Sequence, residues 1–582
     1  MNKAIVWATP VFLVLIAIEF AWGWLRGRNT YRLGDAIASI SLGMLSQLAG
    51  VYLTLLRIGV YTLIWEVLAL APDSDFWQSW PGWLAALLLY DFCYYWHHRA
   101  GHEVALFWAA HVVHHQSQSY NLSTALRQTG SGLLLGWIFY VPMALLGVPP
   151  VLFAIVGLVD LLYQFWVHTE HVPKLGWFDR WFCSPSNHRV HHAVNDRYLD
   201  RNYGGLLVVW DRAFGTFVEE DEAEPCVYGT RVALRSYDPL WANLAVYAEL
   251  LRDSWATRSW GDKLRVWLRP AAWRPDDVAA RWPRPAFDLA AQRHFDPPMG
   301  TGLQLFAVLQ FTALLGAVAG FLWFADTLTP TNSLLAGAAI TAGLWALNAT
   351  LQGRIGWEAC LVIDASTLST LGAAAGWVEL HQAFKPLAML LMMGWVLMRL
   401  LAAGGVTRHA LWLLLALGAS CVGDVLLMLR GQFVAGLIAF LCAHLAYIAL
   451  FRGDAPTLAH RRAVMGTLAA GLTMYGVLVA GGLPVELRLP VAVYVLVISL
   501  MAAQAIGRAA AMQGEANKRA AWGVALGALL FMLSDSLLAI NRFVTPLPLA
   551  ELWVLVSYYA AQFLIVRHMM PALADEAARP TH

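Results

Sequence analysis

The chain has 582 residues, of which 59% are hydrophobic and only 13% are charged, and its formal net charge is +1. Soluble proteins average about a quarter charged residues, so this composition excludes an ordinary soluble protein and is typical of a chain that lies mostly in a bilayer. The near-neutral charge gives no support for a nucleic-acid partner. The six cysteines are scattered without a CxxC pair, and those in apolar runs are predicted to be core residues and not disulfide partners.

Apolar segments long enough to cross a bilayer recur along the chain. The first, 4–24, is followed by no small-residue cleavage site, so we predict a retained span and not a signal peptide. Four more lie at 38–65, 79–97, 131–147 and 150–167, with a hairpin as an alternative for 79–97. After a largely polar block at 168–300, ten further segments begin near 303, 334, 357, 386, 409, 432, 464, 489, 521 and 551. The sequence thus predicts an all-α, polytopic helical integral membrane protein of fifteen spans.

Basic residues predict the orientation of these spans. Arg26, Arg28 and Arg32 follow the first span, and the positive-inside rule places that loop in the cytoplasm. Alternation then puts the N-terminus outside, the C-terminus inside and the histidine-rich span ends on the cytoplasmic side. Arg430 and Lys385 fall on the outside, next to span ends where long side chains can snorkel. Because arginine far outnumbers lysine, the composition favours a bacterial protein, and hence the inner membrane.

Eleven of the 18 histidines fall between Tyr90 and His192, in three clusters with helical spacing and one further pair. Residues three and four apart share one helix face, so each cluster is expected to aim two or three imidazoles at one point. Neutral imidazole suits iron, zinc and copper, and eight or nine such ligands fit two metal ions better than one tetrahedral zinc. His97 faces about 100° away from His98 and is left out, and His171 is assigned to interfacial packing. The predicted ligands are His98, His102, His111, His114, His115, His168, His188, His191 and His192.

The residues around these histidines resemble a known superfamily. The resemblance is carried by six runs, 91–103, 111–115, 120–128, 164–170, 188–192 and 202–211. The histidine runs resemble the fatty acid hydroxylase/sterol desaturase superfamily, and the other three look like its alkylglycerol monooxygenase branch. Over roughly residues 5–380 the resemblance implies a histidine-ligated di-iron centre on the cytoplasmic side of a helical membrane domain. It also implies a membrane-lipid substrate, O2 and a reduced pterin such as tetrahydrobiopterin, with hydroxylation next to an ether oxygen to release a fatty aldehyde.

Several alternatives stay open at this point. The ligand set does not encode the substrate, so an acyl chain, a sterol or an ornithine lipid would serve equally well. A zinc hydrolase is disfavoured because the pair His102-Glu103 lacks the second histidine of HExxH. A bis-histidine haem needs one histidine per axial position and not triplets.

Three carboxylates lie near the histidines in sequence, namely Asp91, Glu103 and Glu170. Any of them could fix an imidazole tautomer through a hydrogen bond. Glu103 matches an acidic position of the alkylglycerol branch and is the predicted non-histidine site residue, against the alternative of a solvated carboxylate at a helix end. The Trp-, Arg- and Pro-rich segment 255–290 fits either an interfacial helix on the headgroups or a cytosolic cap over the metal site.

The second half has few intramembrane ionisable residues, and each is therefore a functional candidate. Asp424 and Asp535 lie at nearly equal depth in their spans, and His444 and Tyr447 share one helix face. One carboxyl group kept protonated by apolar surroundings would act as an acid while the other orients water. The alternative is a pair of helix-packing carboxylates bonded to Ser534, Tyr447 or Lys385. A transporter would instead need broken helices at both carboxylates, and neither has a proline nearby in its span.

Residues 357–570 resemble the YhhN-type lysoplasmalogenase family. The motifs are Lys385-Pro386-Leu387, Gly423-Asp424, Phe433 with Gly436, His444 with Tyr447, Ser534-Asp535 and Tyr558-Tyr559 with Gln562. This resemblance implies hydrolysis of the vinyl ether of lysoplasmalogens to a fatty aldehyde. We therefore predict two domains, 1–378 and 379–575, with the first helix of the second domain starting as early as 357. A non-catalytic lipid-binding or scaffold role for the second half is the alternative.

Overall fold

The computed structural model describes residues 2–72, 74–402, 405 and 407–577. These residues are almost entirely helical, and the described part of the chain has two isolated β-bridges, Phe182–Leu207 and Ala193–Tyr228, but no named strand. The predicted fold class, a polytopic helical membrane protein, is confirmed.

The chain divides into two compact units, Met1–Thr327 with Leu347–Arg354, and Leu328–Ala346 with Ile355–His582. The α-helices of the first unit are α1 (Asn2–Leu25), α2 (Leu33–Leu68), α3 (Trp80–Glu103), α4 (Ala105–His115), α5 (Leu122–Ala125), α6 (Gly132–Leu135), α7 (Val141–Leu145), α8 (Pro150–Trp166), α9 (Pro185–His192), α10 (Val209–Phe214), α11 (Pro239–Ala256), α12 (Trp260–Leu268), α13 (Asp276–Arg281) and α14 (Thr301–Phe324). Short 3-10 helices cover Asp75–Gln78, Gly136–Tyr140, Phe178–Arg180 and Ala325–Thr327.

The second unit consists of long helices joined by short turns. They are α15 (Pro330–Leu351, whose last turn belongs to the first unit), α16 (Trp357–Ala375), α17 (Val378–Ala402), α18 (Arg408–Met428), α19 (Phe433–Phe451), α20 (Arg461–Ala480), α21 (Val485–Ala511), α22 (Glu515–Phe543) and α23 (Ala550–Ala577).

Ten helices in the described residues are long and apolar enough to cross a membrane, fewer than the fifteen predicted spans. Each of the ten segments predicted after residue 300 forms one helix, α14 to α23. The prediction of a single span at 131–147 is wrong, because this segment is broken into α6, a 3-10 turn and α7. Pro142 lies in the first turn of α7 and lacks the N–H that a continuous helix would need there. The segment 79–97 is part of one continuous helix, so the hairpin alternative is also wrong.

The side chain of Asp91 links α3 by hydrogen bonds to the segment that leads into α10. Its buried carboxylate accepts hydrogen bonds from the backbone N–H groups of Leu206 (2.7 Å) and Leu207 (3.2 Å) and from the indole N–H of Trp210 (2.8 Å). Buried donors are costly to leave unpaired. A single side chain thus holds the segment that follows the third histidine cluster against the helix that carries the first.

We expect Asp91→Ala to lower the free energy of unfolding by about 2–5 kcal/mol, because three buried donors lose their acceptor at once. Thermal unfolding of the purified protein in detergent measures this. Asp288→Ala is the matched control, since Asp288 is exposed and accepts only a local bond from Ala290 N–H. Equal melting temperatures for the two variants would contradict the assignment.

Candidate metal centre and buried carboxylate site

The nine predicted histidines come together in two groups inside the first unit. One group is His98, His102, His111, His115 and His191, and the other is His114, His168, His188 and His192. Within each group the ligand nitrogens lie within 4.8 Å of one another. Helices α3, α4 and α9 and the turn after α8 supply them.

The expectation that each cluster aims at one point is wrong for the second and third clusters. His114 separates from His111 and His115, and His191 separates from His188 and His192. The reason lies in helix geometry, because residues i+3 and i+4 are themselves about 100° apart around the axis. The three imidazoles of such a cluster therefore point in two directions, and each of these two clusters contributes ligands to both histidine groups.

Four of the nine imidazoles have a tautomer fixed by a backbone carbonyl. A backbone carbonyl can only accept, so an Nδ1 bonded to one must carry the proton and leave Nε2 with its lone pair. The pairs are His98 with Tyr203 O (2.8 Å), His114 with Arg127 O (3.0 Å), His168 with Gln164 O (2.8 Å) and His191 with Arg201 O (3.0 Å).

The consequence is clearest between His114 and His168. Both carry the proton on Nδ1, yet their Nε2 atoms are 3.1 Å apart. Two lone pairs this close repel each other unless a cation lies between or beside them. In addition, Nε2 of His102 and of His191 is buried with no hydrogen-bond partner among the described residues. The donor set therefore fits bound metal ions.

Burial keeps the histidines of α4 and α9 neutral. It lowers the pKa of His114 to about 4, and burial together with neighbouring imidazoles holds the pKa of His115 and His192 well below the usual value. A neutral imidazole keeps the lone pair that a metal needs. The site is thus ready to bind metal at neutral pH without displacing protons.

The loop Asp200–Tyr203 supplies acceptors to three members of the first group. Asp200 Oδ1 lies 3.3 Å from His102 Nδ1, Arg201 O accepts from His191, and Tyr203 O accepts from His98. Asp200 and Asn202 have φ of 56° and 55°, a left-handed conformation that is costly for residues other than glycine.

Side-chain bonds hold this loop in place. The side-chain NH2 of Asn202 donates to the carbonyls of Asn187 and Val218, and its side-chain oxygen accepts from the Val218 N–H. Asp211 accepts from the N–H groups of Tyr203 and Gly204, both at 2.8 Å. The run 202–211 was singled out in the sequence as a family motif, but its role as the support of this loop was missed, as was Asp200.

The three carboxylates predicted near the site have other contacts. Glu103 is half-exposed, accepts from Arg99 Nε at 2.9 Å and lies 3.5 Å from the Tyr203 hydroxyl. Glu170 pairs with Arg28 at 3.2 Å, and Asp91 holds the segment before α10. Asp200 is the carboxylate that contacts a ligand imidazole. A direct role for Glu103 stays a prediction.

In the second unit the two predicted carboxylates are each bonded to a tyrosine, with Asp424 buried and Asp535 half-buried. Asp424 accepts from the hydroxyl of Tyr558 at 2.6 Å, and Lys385 Nζ lies 3.5 Å from its other oxygen. Asp535 accepts from the hydroxyl of Tyr494 at 2.5 Å, and His444 Nε2 lies 3.5 Å from the same oxygen. Neither tyrosine partnership was assigned from the sequence.

Aromatic rings join the surroundings of the two carboxylates. The fully buried ring of Phe531 lies 5.4 Å from Tyr558 and 4.8 Å from His444, centroid to centroid. His444 also bonds to Tyr494 at 2.8 Å, whereas Tyr447 bonds to Gln562, so the two residues predicted to share a face have different partners. The predicted snorkelling of Lys385 is wrong, because its side chain is buried and paired with Asp424.

Comparison with known proteins agrees with this geometry. Residues 83–216 match the family described as Fatty acid hydroxylase, and residues 380–569 match the YhhN family. Alkylglycerol monooxygenase of Danio rerio is 36% identical over 356 residues, which cover 60% of this chain and 77% of that protein. The chain belongs to the alkylglycerol monooxygenase family. Together with the fatty acid hydroxylase match, the two histidine groups fit a di-iron centre.

Two further relatives show how the similarity divides along the chain. Alkylglycerol monooxygenase of Homo sapiens is 40% identical over 269 residues, 46% of this chain and 59% of that protein. Lysoplasmalogenase TMEM86B of Sus scrofa is 38% identical over 170 residues, 29% of this chain and 67% of that protein. No solved structure matches the chain.

We expect Asp200→Asn to weaken iron binding about tenfold, because the carboxylate that orients His102 loses its charge. Iron retained after dialysis against a series of chelator concentrations measures the affinity. Asp196→Asn is the control, since Asp196 is 91% exposed and pairs with Arg231. Unchanged iron retention in Asp200→Asn would show that this carboxylate does not support the centre.

Proposed function

We propose that the protein is a bifunctional membrane enzyme of ether-lipid breakdown. The first unit cleaves O-alkyl glycerol ethers as an O2-dependent monooxygenase, and the second hydrolyses the vinyl ether of lysoplasmalogens. The observation that carries the first activity is the pair of buried histidine groups in a chain of the alkylglycerol monooxygenase family. The YhhN match over residues 380–569 and the paired carboxylates support the second.

In the first reaction, one oxygen atom of O2 enters the C–H bond next to the ether oxygen and the other leaves as water. Two electrons and two protons from a reduced pterin such as tetrahydrobiopterin complete the balance. Two iron ions, when bound, supply the activation of O2. The hemiacetal formed then breaks into a fatty aldehyde and a glycerol lipid. The nine histidines hold the metals, and the carbonyl and carboxylate acceptors orient their rings.

In the second reaction, the two carboxyl groups have different tasks. Asp424, which lies 3.5 Å from Lys385 Nζ, is the base that takes a proton from water. Asp535 accepts a hydrogen bond from the Tyr494 hydroxyl, and His444 Nε2 lies 3.5 Å from the same carboxyl oxygen. Asp535 supplies the proton to the enol carbon.

The proton balance of this reaction closes. Water adds to the carbon that bears oxygen, and the resulting hemiacetal breaks as the glycerol oxygen takes the proton held by Asp424. The hemiacetal hydroxyl returns a proton to Asp535. The sum is lysoplasmalogen plus water giving a fatty aldehyde plus a glycerophospho-base, with both carboxyl groups restored.

We further propose domain limits of 1–378 and 379–575 and a cytoplasmic position for the histidine groups in a bacterial inner membrane. The support for this orientation is the distribution of basic residues at the ends of the spans. Arg26, Arg28 and Arg32 lie between α1 and α2, or at the cap of α2.

We expect purified protein to release aldehyde from a 1-O-alkylglycerol with O2 and reduced pterin, and from a lysoplasmalogen without either. His114→Ala should lower the first rate at least about a hundredfold, since it removes a ligand, and leave the second unchanged. Asp535→Asn should do the reverse, because the proton donor is lost. Each variant is thus the control for the other, and iron chelation should mimic His114→Ala.

The opposite results are equally informative. Loss of both activities in either variant would contradict two independent sites. Iron-dependent O2 consumption with an acyl or sterol lipid, but not with the alkylglycerol, would keep the oxygenase and overturn its substrate.

A further inference from the structure

Helix α11 carries a stripe of exposed apolar side chains. Leu240, Leu244, Leu251 and Trp255 lie on one face, and their exposed fractions run from 39% for Leu240 to 85% for Trp255. Spacings of four, seven and four residues keep them within about one sixth of the helix circumference. An exposed apolar patch of this kind is informative, unlike single exposed apolar residues.

Helix α12 continues the same pattern. Trp260, Leu264 and Leu268 recur every four residues and are 82%, 70% and 65% exposed, whereas Val266 on the opposite face is buried. Trp255 and Trp260 flank the turn that joins the two helices. The two helices therefore present an apolar surface made of Leu240, Leu244, Leu251, Trp255, Trp260, Leu264 and Leu268, which we call the α11–α12 surface.

The opposite faces of both helices pack on α4. Leu250 of α11 and Val266 of α12 form a buried cluster with Ala105 and Ala109. The N–H of Ala105 also donates to Arg269 O at 2.9 Å, just after α12. Because α4 ends in His111, His114 and His115, the α11–α12 surface is firmly connected to the histidine groups.

A lipid interface is the occupant that fits this surface. Helix α12 has nine residues, about 13 Å at 1.5 Å per residue, too short to cross a hydrocarbon core of about 30 Å. Residues 249–269 contain five basic and three acidic side chains, and Arg258 and Arg269 are exposed beside the stripe. Exposed tryptophan with flanking arginine is the composition of a helix that lies in the headgroup region of an anionic membrane.

We infer that the α11–α12 surface lies in the boundary between headgroups and acyl chains of an anionic bilayer. The helices lie along the membrane plane, with α4 and the histidine groups on the other side from the lipid. For residues 255–268 we therefore infer the interfacial helix and not the cytosolic cap over the metal site.

This placement also deepens the first proposed activity, on which the following step rests. The ether oxygen of an alkylglycerol lies at the glycerol level of the lipid and not in the hydrocarbon centre. Because α4 packs directly on α11 and α12, the surface holds the histidine groups one helix layer, about 10 Å, from that level, so the ether bond reaches them with a short vertical movement of the lipid. The surface would thus select for chemistry next to the glycerol and against the chain terminus.

The test places single cysteines in full-length protein in lipid nanodiscs that hold one copy each. Leu264→Cys probes the surface, and Glu222→Cys is the control, since Glu222 is exposed in a turn of the same polar block. Both are made with Cys442→Ser, because Cys442 is the exposed native cysteine among the six described. The readout is the rate of labelling by a membrane-impermeant maleimide in discs rich in anionic phospholipid.

We expect Leu264→Cys to label at least about tenfold more slowly than Glu222→Cys, and its labelling to speed up in purely zwitterionic discs. Equal rates in anionic discs would overturn the inference. Slow labelling only when two copies share a disc would also overturn it, by assigning the surface to self-association. Neither result depends on iron or on turnover, so failure here is distinguishable from failure of the proposed function.

A second arm addresses the substrate. The triple variant Trp260→Ser/Leu264→Ser/Leu268→Ser should raise the KM for alkylglycerol embedded in a bilayer several-fold while kcat and iron content stay near wild type. A fall in kcat with unchanged KM would contradict a role in presenting the lipid. Absence of alkylglycerol turnover in the wild-type protein would overturn the proposed function and leave the labelling result standing.

Discussion

The first unit depends on packing nine imidazoles close together, eight of them buried. Charged imidazoles packed with ring centroids about 4–6 Å apart would repel one another strongly where water is scarce. Burial favours the uncharged form of His114, His115 and His192, and in four of the nine rings a carbonyl acceptor decides which nitrogen keeps its proton. The lone pairs on Nε2 converge as a result. The unprotonated Nε2 atoms of His114 and His168, 3.1 Å apart, favour a cation between or beside them, so this packing of imidazoles fits a metal centre.

The same constraint takes another form in the second unit. A carboxylate buried among apolar helices needs a hydrogen-bond donor or a cation nearby. Asp424 has Tyr558 and Lys385, and Asp535 has Tyr494 with His444. The difference between these partners matters more than their number, because an ammonium favours charge on its carboxylate while a phenol is neutral.

The sequence was sufficient for the histidines and insufficient for what orients them. Helical spacing located eight of the nine, because three- and four-residue intervals carry that information directly, and His168 was predicted from its position at the end of the fifth span. Their division into two groups depends on how helices α3, α4 and α9 meet, which spacing within one helix does not contain. Most tautomer-fixing acceptors are backbone carbonyls, and these have no signature in the sequence. Lys385 was misplaced for a similar reason, since the positive-inside rule treats lysine as a solvated charge and takes no account of a carboxylate on a neighbouring helix.

The span count shows the same limit. Hydropathy found every α-helix in the described residues after residue 300, where each predicted segment forms one continuous helix. It failed at 131–147, where an apolar composition coexists with Pro142 and with glycines that break the helix. An apolar run predicts burial or lipid contact, and only the pattern of backbone donors decides whether the run is one helix.

The two proposed reactions also explain why one chain would need two separate sites. Protonating a vinyl ether at carbon requires an acid strong enough to transfer its proton to a weak base. Such an acid next to the histidine groups would protonate imidazoles first, and each protonated imidazole would lose its capacity to bind metal. An all-imidazole centre and a carbon-protonating carboxyl group are therefore incompatible within one pocket. The described ligand nitrogens belong to residues 98–192 of the first unit, and the two carboxylates, Asp424 and Asp535, belong to the second unit. A chain that degrades both kinds of ether to the same class of aldehyde has to keep the acid and the metal apart.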